Sequence, residues 1–363
     1  MEEHLTNLAT ESFYDRSERE LFMLKFVNDY CEGAHQEILN NLQKTNLEKI
    51  TGYGLDVYSG SARNKIRAAC GKPDAEVYFL VGGTQTNETV ISSVLKQYQG
   101  VLAADTGHIS THEAGAIEHG GHKVLTLEQK NGKISAKSIW EYEDKFQSDL
   151  NNEHEVAPGM VYISQPTEYG TLYSLAELKE IRRACDEIGL VLYIDGARLG
   201  YALSCDENDA SLKDIADIAD VFTIGGTKCG AMLGEAVVFT KPGLVPHFYT
   251  ITKIHGAMLA KGWIIGLSFD TLFTDDLYIK ICRNANETAA KIREALFTNG
   301  YDIYIDSPTN QIFPVVTPEK AAELSENVEY GFMETLDDGR QVIRFCTSWA
   351  TTMEDVDKLI EIL

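Results

Sequence analysis

The sequence lacks the marks of several protein classes. None of its seven cysteines forms a C-x-x-C pair, and their odd number and wide spacing are unlike a disulfide framework or a zinc ribbon. No apolar run approaches the roughly 18 residues that a membrane-spanning helix needs. The first residues also lack the basic stretch and apolar run of a secretory signal. These absences predict a reduced, cytoplasmic location and no membrane partner.

Basic residues are scarce in this chain. Its 363 residues include 32 lysines and arginines against 55 aspartates and glutamates, for a formal net charge of -23. Because phosphate backbones are bound by clustered basic side chains, this balance argues against nucleic acid as a partner. Hydrophobic residues make up 44% of the chain, which excludes a disordered protein and indicates a globular one of about two domains.

Two common nucleotide-binding motifs are missing. Neither G-x-x-x-x-G-K-[ST] nor G-x-G-x-x-G follows a predicted strand. The sequence therefore argues against a Walker-type ATPase and against a simple Rossmann dehydrogenase.

Short apolar runs bounded by glycines alternate with helical segments through the middle of the chain. This alternation predicts an α/β fold whose mostly parallel sheet is covered by helices on both faces. The predicted strands cover 76–81, 100–104, 123–127, 160–164, 190–195, 219–224 and 236–240. Later segments combine a long charged helix with short strands, as in a smaller α+β domain. We therefore predict an N-terminal extension over 1–21, a large domain over 22–268 and a small C-terminal domain over 269–363.

A glycine-rich turn after the first of these strands is a candidate anion site. Open α/β sheets bind ligands beyond the carboxyl ends of their strands. Gly83 and Thr84 lie at such an end and lead into a helix, whose first N–H groups could cradle a phosphate. Taken alone, the same residues also fit an ordinary strand-to-helix turn.

Two further strand ends carry ionisable side chains. Asp195 ends one strand and is followed three residues later by Arg198, which taken alone could be an ordinary ion pair. Lys228 follows Thr227 in a run of small residues after the next strand. Partial shielding from water would make its amine a nucleophile toward a carbonyl, although a solvated loop lysine is the plain alternative.

The combination of these features points to one cofactor. Pyridoxal phosphate needs a cradle for its phosphate, a lysine amine for its aldehyde and a carboxylate that keeps the pyridine nitrogen protonated. The turn at Gly83 and Thr84, Lys228 and Asp195 supply one group for each task. We therefore predict a pyridoxal-phosphate enzyme.

Five short segments carry a resemblance to a known family. In chain order they are NDY at 28–30, GGTQTN at 82–87, DTGH at 105–108, DGAR at 195–198 and TK at 227–228. From residue 22 to its C-terminus the chain resembles the threonine aldolase (β-eliminating lyase) family of fold-type-I pyridoxal-phosphate enzymes. The DGAR and TK segments are specific, whereas GGT alone would be weak.

The resemblance implies a task for each matching residue at the cofactor. Lys228 would bond to the cofactor aldehyde, and Asp195 would pair with the pyridinium nitrogen. Arg198 would lie near the 3-hydroxyl group, and His108 against the face of the ring. The residues implied to bind the cofactor are Gly83, Thr84, His108, Asp195, Arg198, Thr227, Lys228, Lys253 and Lys261.

The resemblance also implies a reaction. The Cα–Cβ bond of a β-hydroxy-α-amino acid would break, with L-threonine or L-allo-threonine giving glycine and acetaldehyde. Lys228, His108 and Glu168 would be catalytic, and Arg344 would hold the substrate carboxylate in a two-pronged contact. Glu168 stands where other members have a second histidine, and Tyr30 stands where they have a small hydroxyl residue contacting the substrate. Glu168 could be the base, could orient His108 or could simply be solvated, and the departure at Tyr30 leaves the substrate range open.

Members of the family assemble as dimers or tetramers whose subunits complete one another's sites. The resemblance implies that Tyr53 reaches the substrate, and Lys253 and Lys261 the cofactor, of a neighbouring subunit. Surface positions on a loop and a helix are the plain alternative for all three.

The site is predicted to be positively charged although the chain is acidic. Lys228, Arg198 and Arg344 would meet a phosphate and a carboxylate there. The net charge of -23 then describes the surface at large and excludes only a nucleic-acid polymer.

Several other functions stay open at this point. His108, His112, His119 and His122 fall close together, and on a predicted helix over 108–119 the first two would share a face. They could serve a metal-dependent hydrolase or aldolase, although no H-E-x-x-H motif or further ligand completes a site, and we predict no metal. The alternatives that keep pyridoxal phosphate are a β-eliminating lyase, an aminotransferase and a protein of this fold without catalysis.

Overall fold

The computed structural model describes residues 23–363 of the chain. The predicted extension over 1–21 lies outside these residues. Between residues 23 and 363, no helix is both long enough and apolar enough to cross a membrane.

A seven-stranded sheet forms the centre of the larger part of the chain. Its strands are β2 (Glu76–Leu80), β3 (Gln99–Ala104), β4 (Val124–Leu127), β5 (Ala157–Ser164), β6 (Val191–Asp195), β7 (Val221–Gly225) and β8 (Glu235–Phe239). They lie in the order β2-β8-β7-β6-β5-β3-β4. Strand β8 runs antiparallel to β2 and β7, and the other neighbouring strands are parallel. The predicted α/β fold with a mostly parallel sheet is thereby confirmed.

Apolar side chains cover both faces of this sheet. In β5, Val161 and Ile163 pack into one hydrophobic core, while Met160 and Tyr162 pack into a second core on the other face. A strand buried on both faces gains from apolar residues at every position, at roughly 25 cal/mol per Å² of apolar surface removed from water. This is why these strands read as continuous apolar runs in the sequence.

Several helices begin at side-chain caps. Ser174 and Glu177 form a capping box before one of them, and Gly189 ends it in the left-handed conformation with φ 87°. The helices are α1 (Gln36–Thr45), α2 (Val57–Cys70), α3 (Gly83–Val94), α4 (His108–Thr111), α5 (Ala116–His119), α6 (Ala136–Ser148), α7 (Leu175–Ile188), α8 (Leu199–Leu203), α9 (Leu212–Ile218), α10 (Phe248–Ile254), α11 (Trp263–Leu272), α12 (Leu277–Thr298), α13 (Pro318–Ser325) and α14 (Met353–Ile362).

A smaller antiparallel sheet forms the C-terminal part. Its strands are β9 (Asp302–Ile303), β10 (Gln311–Ile312), β11 (Pro314–Val316), β13 (Gly331–Thr335) and β14 (Gln341–Cys346), and β14 pairs with β10, β11 and β13. Strand β1 (Leu24–Lys25) pairs with β12 (Val328–Glu329) and so joins the first described residues to this part. The smaller α+β part is confirmed. The predicted boundary between 268 and 269 falls inside α11, and a division at that position stays a prediction.

The predicted continuous helix over 108–119 is wrong. Helix α4 ends at Thr111 and α5 begins at Ala116. Between them, Ala114 and Gly115 adopt positive φ angles of 52° and 74°, which a right-handed helix cannot contain. This interruption turns the buried side chain of Glu113 back toward the start of α4.

Candidate active site

A cavity of about 320 Å³ lies at the carboxyl ends of strands β2, β5, β6 and β7, a size suited to a small molecule. Its wall contains these residues predicted from the sequence: Tyr30, Gly83, Thr84, His108, Glu168, Asp195, Arg198, Thr227 and Lys228. The other residues of the wall are Val81, Gly82, Asn87, Ser164, Pro166, Thr167, Ala197, Leu233 and Glu235. The residues predicted for the site that do not line this cavity are Tyr53, Lys253, Lys261 and Arg344.

The glycine turn opens directly into the cavity. Gly82 is the N-cap of the twelve-residue helix α3, and Gly83 is its first residue. A Cβ atom built on either glycine would meet no other atom within 4 Å. Because glycine leaves this space free, a phosphate can approach the unpaired N–H groups at the start of the helix.

Asp195 is held by hydrogen bonds from three directions. Its Oδ2 atom accepts from the Tyr162 hydroxyl at 2.5 Å and from Asn87 Nδ2 at 3.1 Å. Its Oδ1 atom accepts from the Ala197 N–H at 2.8 Å. Burial opposes ionisation of this carboxyl group, but the bond from Tyr162, the nearby His108 and the other donors together lower its pKa. Asp195 is therefore a stable buried carboxylate, as a partner for a pyridinium nitrogen must be.

Two tyrosines support this carboxylate from the sheet. Tyr162 of β5 pairs in register with Tyr193 of β6, just as Ser164 pairs with Asp195. Burial, followed by the charge of Asp195, raises the pKa of both tyrosine hydroxyl groups. Both hydroxyls therefore keep their protons and act as donors, Tyr162 to Asp195 and Tyr193 to the side-chain oxygen of Asn87 at 2.6 Å.

His108 is oriented by a buried glutamate. Its Nδ1 atom lies 2.7 Å from Oε1 of Glu113, whose side chain is fully buried. The same oxygen accepts from Asn87 Nδ2 at 2.7 Å, and Asn87 also donates to Asp195. Since a carboxylate oxygen only accepts, His108 carries a proton on Nδ1, and its Nε2 atom is the nitrogen that can accept another. One chain of hydrogen bonds thus runs from His108 to Asp195.

Glu168 lies against the start of the same short helix. Its Oε1 atom accepts from the backbone N–H of His108 at 2.9 Å and from the Ser164 hydroxyl at 2.7 Å. Burial raises the pKa of Glu168, although these two hydrogen bonds oppose the increase. The carboxyl group is therefore a fixed part of the cavity wall.

Lys228 is buried close to the Arg198 cation. Burial, followed by the neighbouring charge of Arg198, lowers the pKa of its amine. The Tyr201 hydroxyl donates to the backbone carbonyl of Lys228 and so fixes the loop. A lowered pKa increases the neutral, nucleophilic fraction of the amine, as the sequence interpretation required.

Arg198 is bound to a carboxylate that lies far away in the chain. Its Nε and one terminal nitrogen donate to the two oxygens of fully buried Asp29 at 2.7 and 3.0 Å, and Asn310 donates to the same carboxylate at 3.0 Å. Burial opposes ionisation of Asp29, but the Arg198 cation outweighs it and lowers the pKa. The pair therefore stays ionised and fixes the orientation of Arg198 at the cavity.

Arg344 lies on β14, outside the cavity wall. It donates to the Gln311 side chain at 3.1 Å and to the Val27 carbonyl at 3.0 Å. Its Nε atom is buried and makes no hydrogen bond within the described residues. This orphaned donor could contact an anion next to the Val27 segment.

Tyr53, Lys253 and Lys261 share a surface patch away from the cavity. The Tyr53 N–H donates to the Ala260 carbonyl at 3.1 Å, and the Lys253 ammonium lies 4.8 Å from the centre of the Tyr53 ring. Both lysines are exposed. Within one subunit these side chains do not meet the cavity, and a contribution from them requires a second subunit.

The described cavity wall carries groups of both signs of charge, and the prediction of a positively charged site stays a prediction. Lys228 and Arg198 are its lysine and arginine, and Arg198 is neutralised by Asp29. Three carboxyl groups line the same wall: Glu168, Asp195 and Glu235. Of these three, Glu235 alone was not expected from the sequence, because it lies beyond a turn, on the antiparallel strand β8.

The histidines do not form a metal site. Among residues 23–363, no three His, Cys, Asp or Glu side chains are grouped so that they could hold a metal ion. The Nδ1 atom of His122 lies 2.9 Å from the Gln99 carbonyl, and His108 is engaged by Glu113. The metal-dependent alternative therefore loses its proposed ligands.

The groups in the cavity fit pyridoxal phosphate. The open glycine turn can take the phosphate, the amine with the lowered pKa can take the aldehyde, and the ionised Asp195 can take the ring nitrogen. Sequence interpretation assigned no task to five side chains that complete this arrangement: Asp29, Asn87, Glu113, Tyr162 and Glu235. Two signals pointed to them, since Asp29 and Asn87 lie within family segments and Tyr162 is a polar residue inside a buried strand.

Comparison with known proteins gives the same identification. The family model of the β-eliminating lyases matches residues 33–316. The low specificity L-threonine aldolase of Pseudomonas sp. (strain NCIMB 10558) is 31% identical over 342 residues, which cover 92% of this chain and 95% of the relative. The solved Leishmania major threonine aldolase superposes with a TM-score of 0.90 at 40% identity, covering 93% of this chain and 98% of that one.

A more distant solved structure shows the fold alone. An aspartate aminotransferase of Thermus thermophilus superposes with a TM-score of 0.69 at 12% identity, covering 97% of this chain and 95% of that one. The family match spans most of the sequence and includes every strand that ends at the cavity. The chain therefore belongs to the β-eliminating lyase family and is a lyase that depends on pyridoxal phosphate.

Proposed function

We propose that this enzyme cleaves the Cα–Cβ bond of β-hydroxy-α-amino acids, converting L-threonine or L-allo-threonine to glycine and acetaldehyde. The proposal is carried by one arrangement: Lys228 and Asp195 share a cavity with His108, whose ring is oriented by Glu113. Two Pseudomonas relatives named low specificity L-threonine aldolase support the same substrate class.

The cofactor is proposed to be held by groups along the cavity wall. When bound, pyridoxal phosphate supplies an electron sink for the electron pair that remains on Cα. Lys228 is the amine for its aldehyde, and Asp195 keeps its ring nitrogen protonated. The other proposed contacts from the same subunit are Gly83, Thr84, His108, Arg198 and Thr227.

His108 is the proposed base for the β-hydroxyl proton of the substrate. Glu113 holds the proton on Nδ1, so Nε2 is the atom that accepts. A positioned base of this kind contributes about 10²–10⁴-fold to a rate. Glu168 is proposed as the second catalytic group, because burial raises its pKa and lets it hold a proton at a higher pH than a solvated glutamate.

Arg344 is the proposed contact for the substrate carboxylate. Its Nε atom is a donor without a partner among the described residues, and the adjacent Nη2 atom donates to the Val27 carbonyl. These two nitrogens can together donate two parallel hydrogen bonds to a carboxylate. Tyr30, 54% exposed at the cavity mouth, and Tyr53 of a second subunit are the other proposed substrate contacts.

Products and co-substrates provide the test of this function. The holoenzyme, incubated separately with L-threonine and L-allo-threonine, is expected to release glycine and acetaldehyde in equal amounts from at least one of them. No 2-oxo acid should be needed, and treatment with a chelator should leave the rate unchanged. A requirement for a 2-oxo acid would indicate an aminotransferase instead, and phenylserine tested in parallel would show whether bulkier substrates are accepted.

The enzyme is also proposed to be a homo-oligomer whose sites are completed across subunits. The observation behind this is the exposed patch of Tyr53, Lys253 and Lys261, which carries cations that the cavity lacks. A phosphate in the glycine turn would gain from such cations, because a buried anion needs a partner.

Mixed oligomers are expected to recover activity that neither parent has. One parent carries Lys228→Ala and the other carries both Lys253→Ala and Lys261→Ala, and the two are refolded together in equal amounts. In a dimer, half the molecules are mixed and each has one intact site, so about a quarter of wild-type activity should return. Activity no higher than the sum of the two parents, in oligomers shown by sedimentation to be mixed, would contradict shared sites.

A cytoplasmic location is proposed from the cysteines. All seven are unpaired, and six of them are buried as ordinary core residues. An oxidising compartment would select against so many free thiols. Fractionation of cells that express the full chain would test this location.

A further inference from the structure

Glu235 is a buried carboxyl group at the junction of the two cofactor-binding loops. It is the first residue of β8 and is 4% exposed. In register it pairs with Leu80 at the end of β2 and with Gly225 at the end of β7. The glycine turn follows the first of these strand ends, and Lys228 follows the second. Glu235 therefore lies in the cavity wall between the phosphate cradle and the lysine.

The carboxyl group has few partners in this position. Its Oε2 atom accepts from the Gly226 N–H at 2.9 Å. The titratable groups that face it are Lys228 from the loop after β7, Asp195 and Tyr193 from β6, and Tyr278 from α12. Both tyrosines stay protonated, because burial raises their pKa values. Lys228 is thus the cation, and Asp195 the anion, that affect its ionisation most.

Burial dominates the ionisation of Glu235 and raises its pKa to about 7. The Gly226 N–H, the Thr227 hydroxyl and the Lys228 cation oppose this increase, and the Asp195 charge adds to it. The group is therefore balanced between its acid and its carboxylate near neutral pH, before any ligand is bound.

A bound phosphate would upset this balance. A phosphate monoester carries about -1.5 to -2 charges near pH 7, and the glycine turn would bring it into the same cavity as Glu235. Two anions that share a water-poor site repel strongly, whereas a carboxylic acid there can donate a hydrogen bond to the phosphate. The arginine of the described wall, Arg198, is already paired with Asp29, so any cation for the phosphate other than Lys228 would have to come from a second subunit.

We propose that Glu235 is the acid that adapts the site to the cofactor phosphate: it takes one proton from solvent when the phosphate enters and is a neutral carboxylic acid in the loaded enzyme. No other bond changes in this step. Below its pKa in the empty protein, Glu235 is already protonated and loading costs no further proton. Above that pKa the proton must be taken from solvent, so affinity for the phosphate form falls as pH rises.

Cofactor affinity, measured without substrate, tests this proposal. Apoenzyme is titrated with pyridoxal phosphate and, separately, with pyridoxal between pH 6 and 8.5, and binding is followed by absorbance. Glu235→Gln has the shape of the neutral acid but cannot ionise. The compared quantity is the dissociation constant of wild type for pyridoxal phosphate divided by that of the variant. This ratio is expected to be about 30-fold larger at pH 8.5 than at pH 6, which is the factor for a group of pKa about 7. Pyridoxal should show no such difference between the two proteins.

The control is Glu88→Gln, which removes a carboxylate that is also largely buried but pairs with His255 outside the cavity. It should follow the wild-type pH dependence. If the affinity of Glu235→Gln for pyridoxal phosphate changed with pH in parallel with that of wild type, the proposal would be overturned. It would also be overturned if the substitution affected pyridoxal binding equally, because Glu235 would then act on Lys228 and not on the phosphate.

Calorimetry of the wild-type protein gives a second measurement that needs no variant. Binding at pH 8 in buffers of different ionisation enthalpy should show more protons taken up with pyridoxal phosphate than with pyridoxal, and an equal uptake would also contradict the proposal. The inference concerns cofactor loading and does not depend on which amino acid is cleaved.

Discussion

Lys228→Ala is expected to lower the rate of threonine cleavage on the order of 10³-fold or more, as does the loss of other covalent catalytic groups. Lys228 is the amine that lies in the cavity wall, and its pKa is lowered by burial and by the Arg198 cation. Alanine removes both the nucleophile for the cofactor aldehyde and the amine that would displace the product after each turnover. The remaining wall, including Asp195 and the glycine turn, is unchanged, so the variant should still fold and bind some cofactor.

Initial rates of acetaldehyde release measure this effect. In the wild-type protein, borohydride should remove the visible absorbance band and attach the cofactor to the peptide that contains Lys228. In the variant, any cofactor reduced by borohydride should not become attached to that peptide. Lys137→Ala is the matched control, because that side chain is 80% exposed and its pair with Glu141 lies at the surface. Full activity in Lys228→Ala would refute the assignment of this lysine.

Glu113→Gln is expected to lower kcat about 10²–10⁴-fold, the range for loss of a correctly placed general base. The buried Glu113 oxygen accepts from both His108 Nδ1 and Asn87 Nδ2. The glutamine amide can instead donate to Nδ1, which moves the imidazole proton to Nε2, the atom that must accept the substrate proton. KM should change much less than kcat, because Glu113 lies behind the histidine and does not line the cavity.

The pH profile separates this positioning effect from a structural one. Glu113→Asp keeps an acceptor and is expected to restore part of kcat, whereas Glu113→Gln should alter the pH dependence of kcat together with its size. Glu118→Gln, which changes an exposed carboxylate on the neighbouring helix α5, should behave as wild type. Equal kcat values for Glu113→Gln and wild type, with unfolding curves that coincide, would contradict the tautomer argument.

The inner strands of the large sheet could be predicted closely because they are buried on both faces. The predicted segments 100–104, 160–164, 190–195, 219–224 and 236–240 are apolar runs of β-formers, and the structure has strands there. The helix over 108–119 could not be predicted correctly, because its residues favour a helix locally while Ala114 and Gly115 take positive φ angles. What stabilises the break is the contact of Glu113 with His108 and Asn87, and a contact across 26 residues leaves no periodic signal.

The sequence by itself determined the α/β class and the strand ends at which Gly83, Asp195 and Lys228 stand, because these follow from local patterns of burial. It also determined the family, because the short segments that must approach a cofactor are specific. Tertiary structure decided what surrounds them. Arg198 is fixed by Asp29, 169 residues away, and Glu235 enters the cavity because an antiparallel strand returns between two parallel ones. Burial at those meeting points sets the ionisation of each group, and burial depends on residues that are distant in the chain.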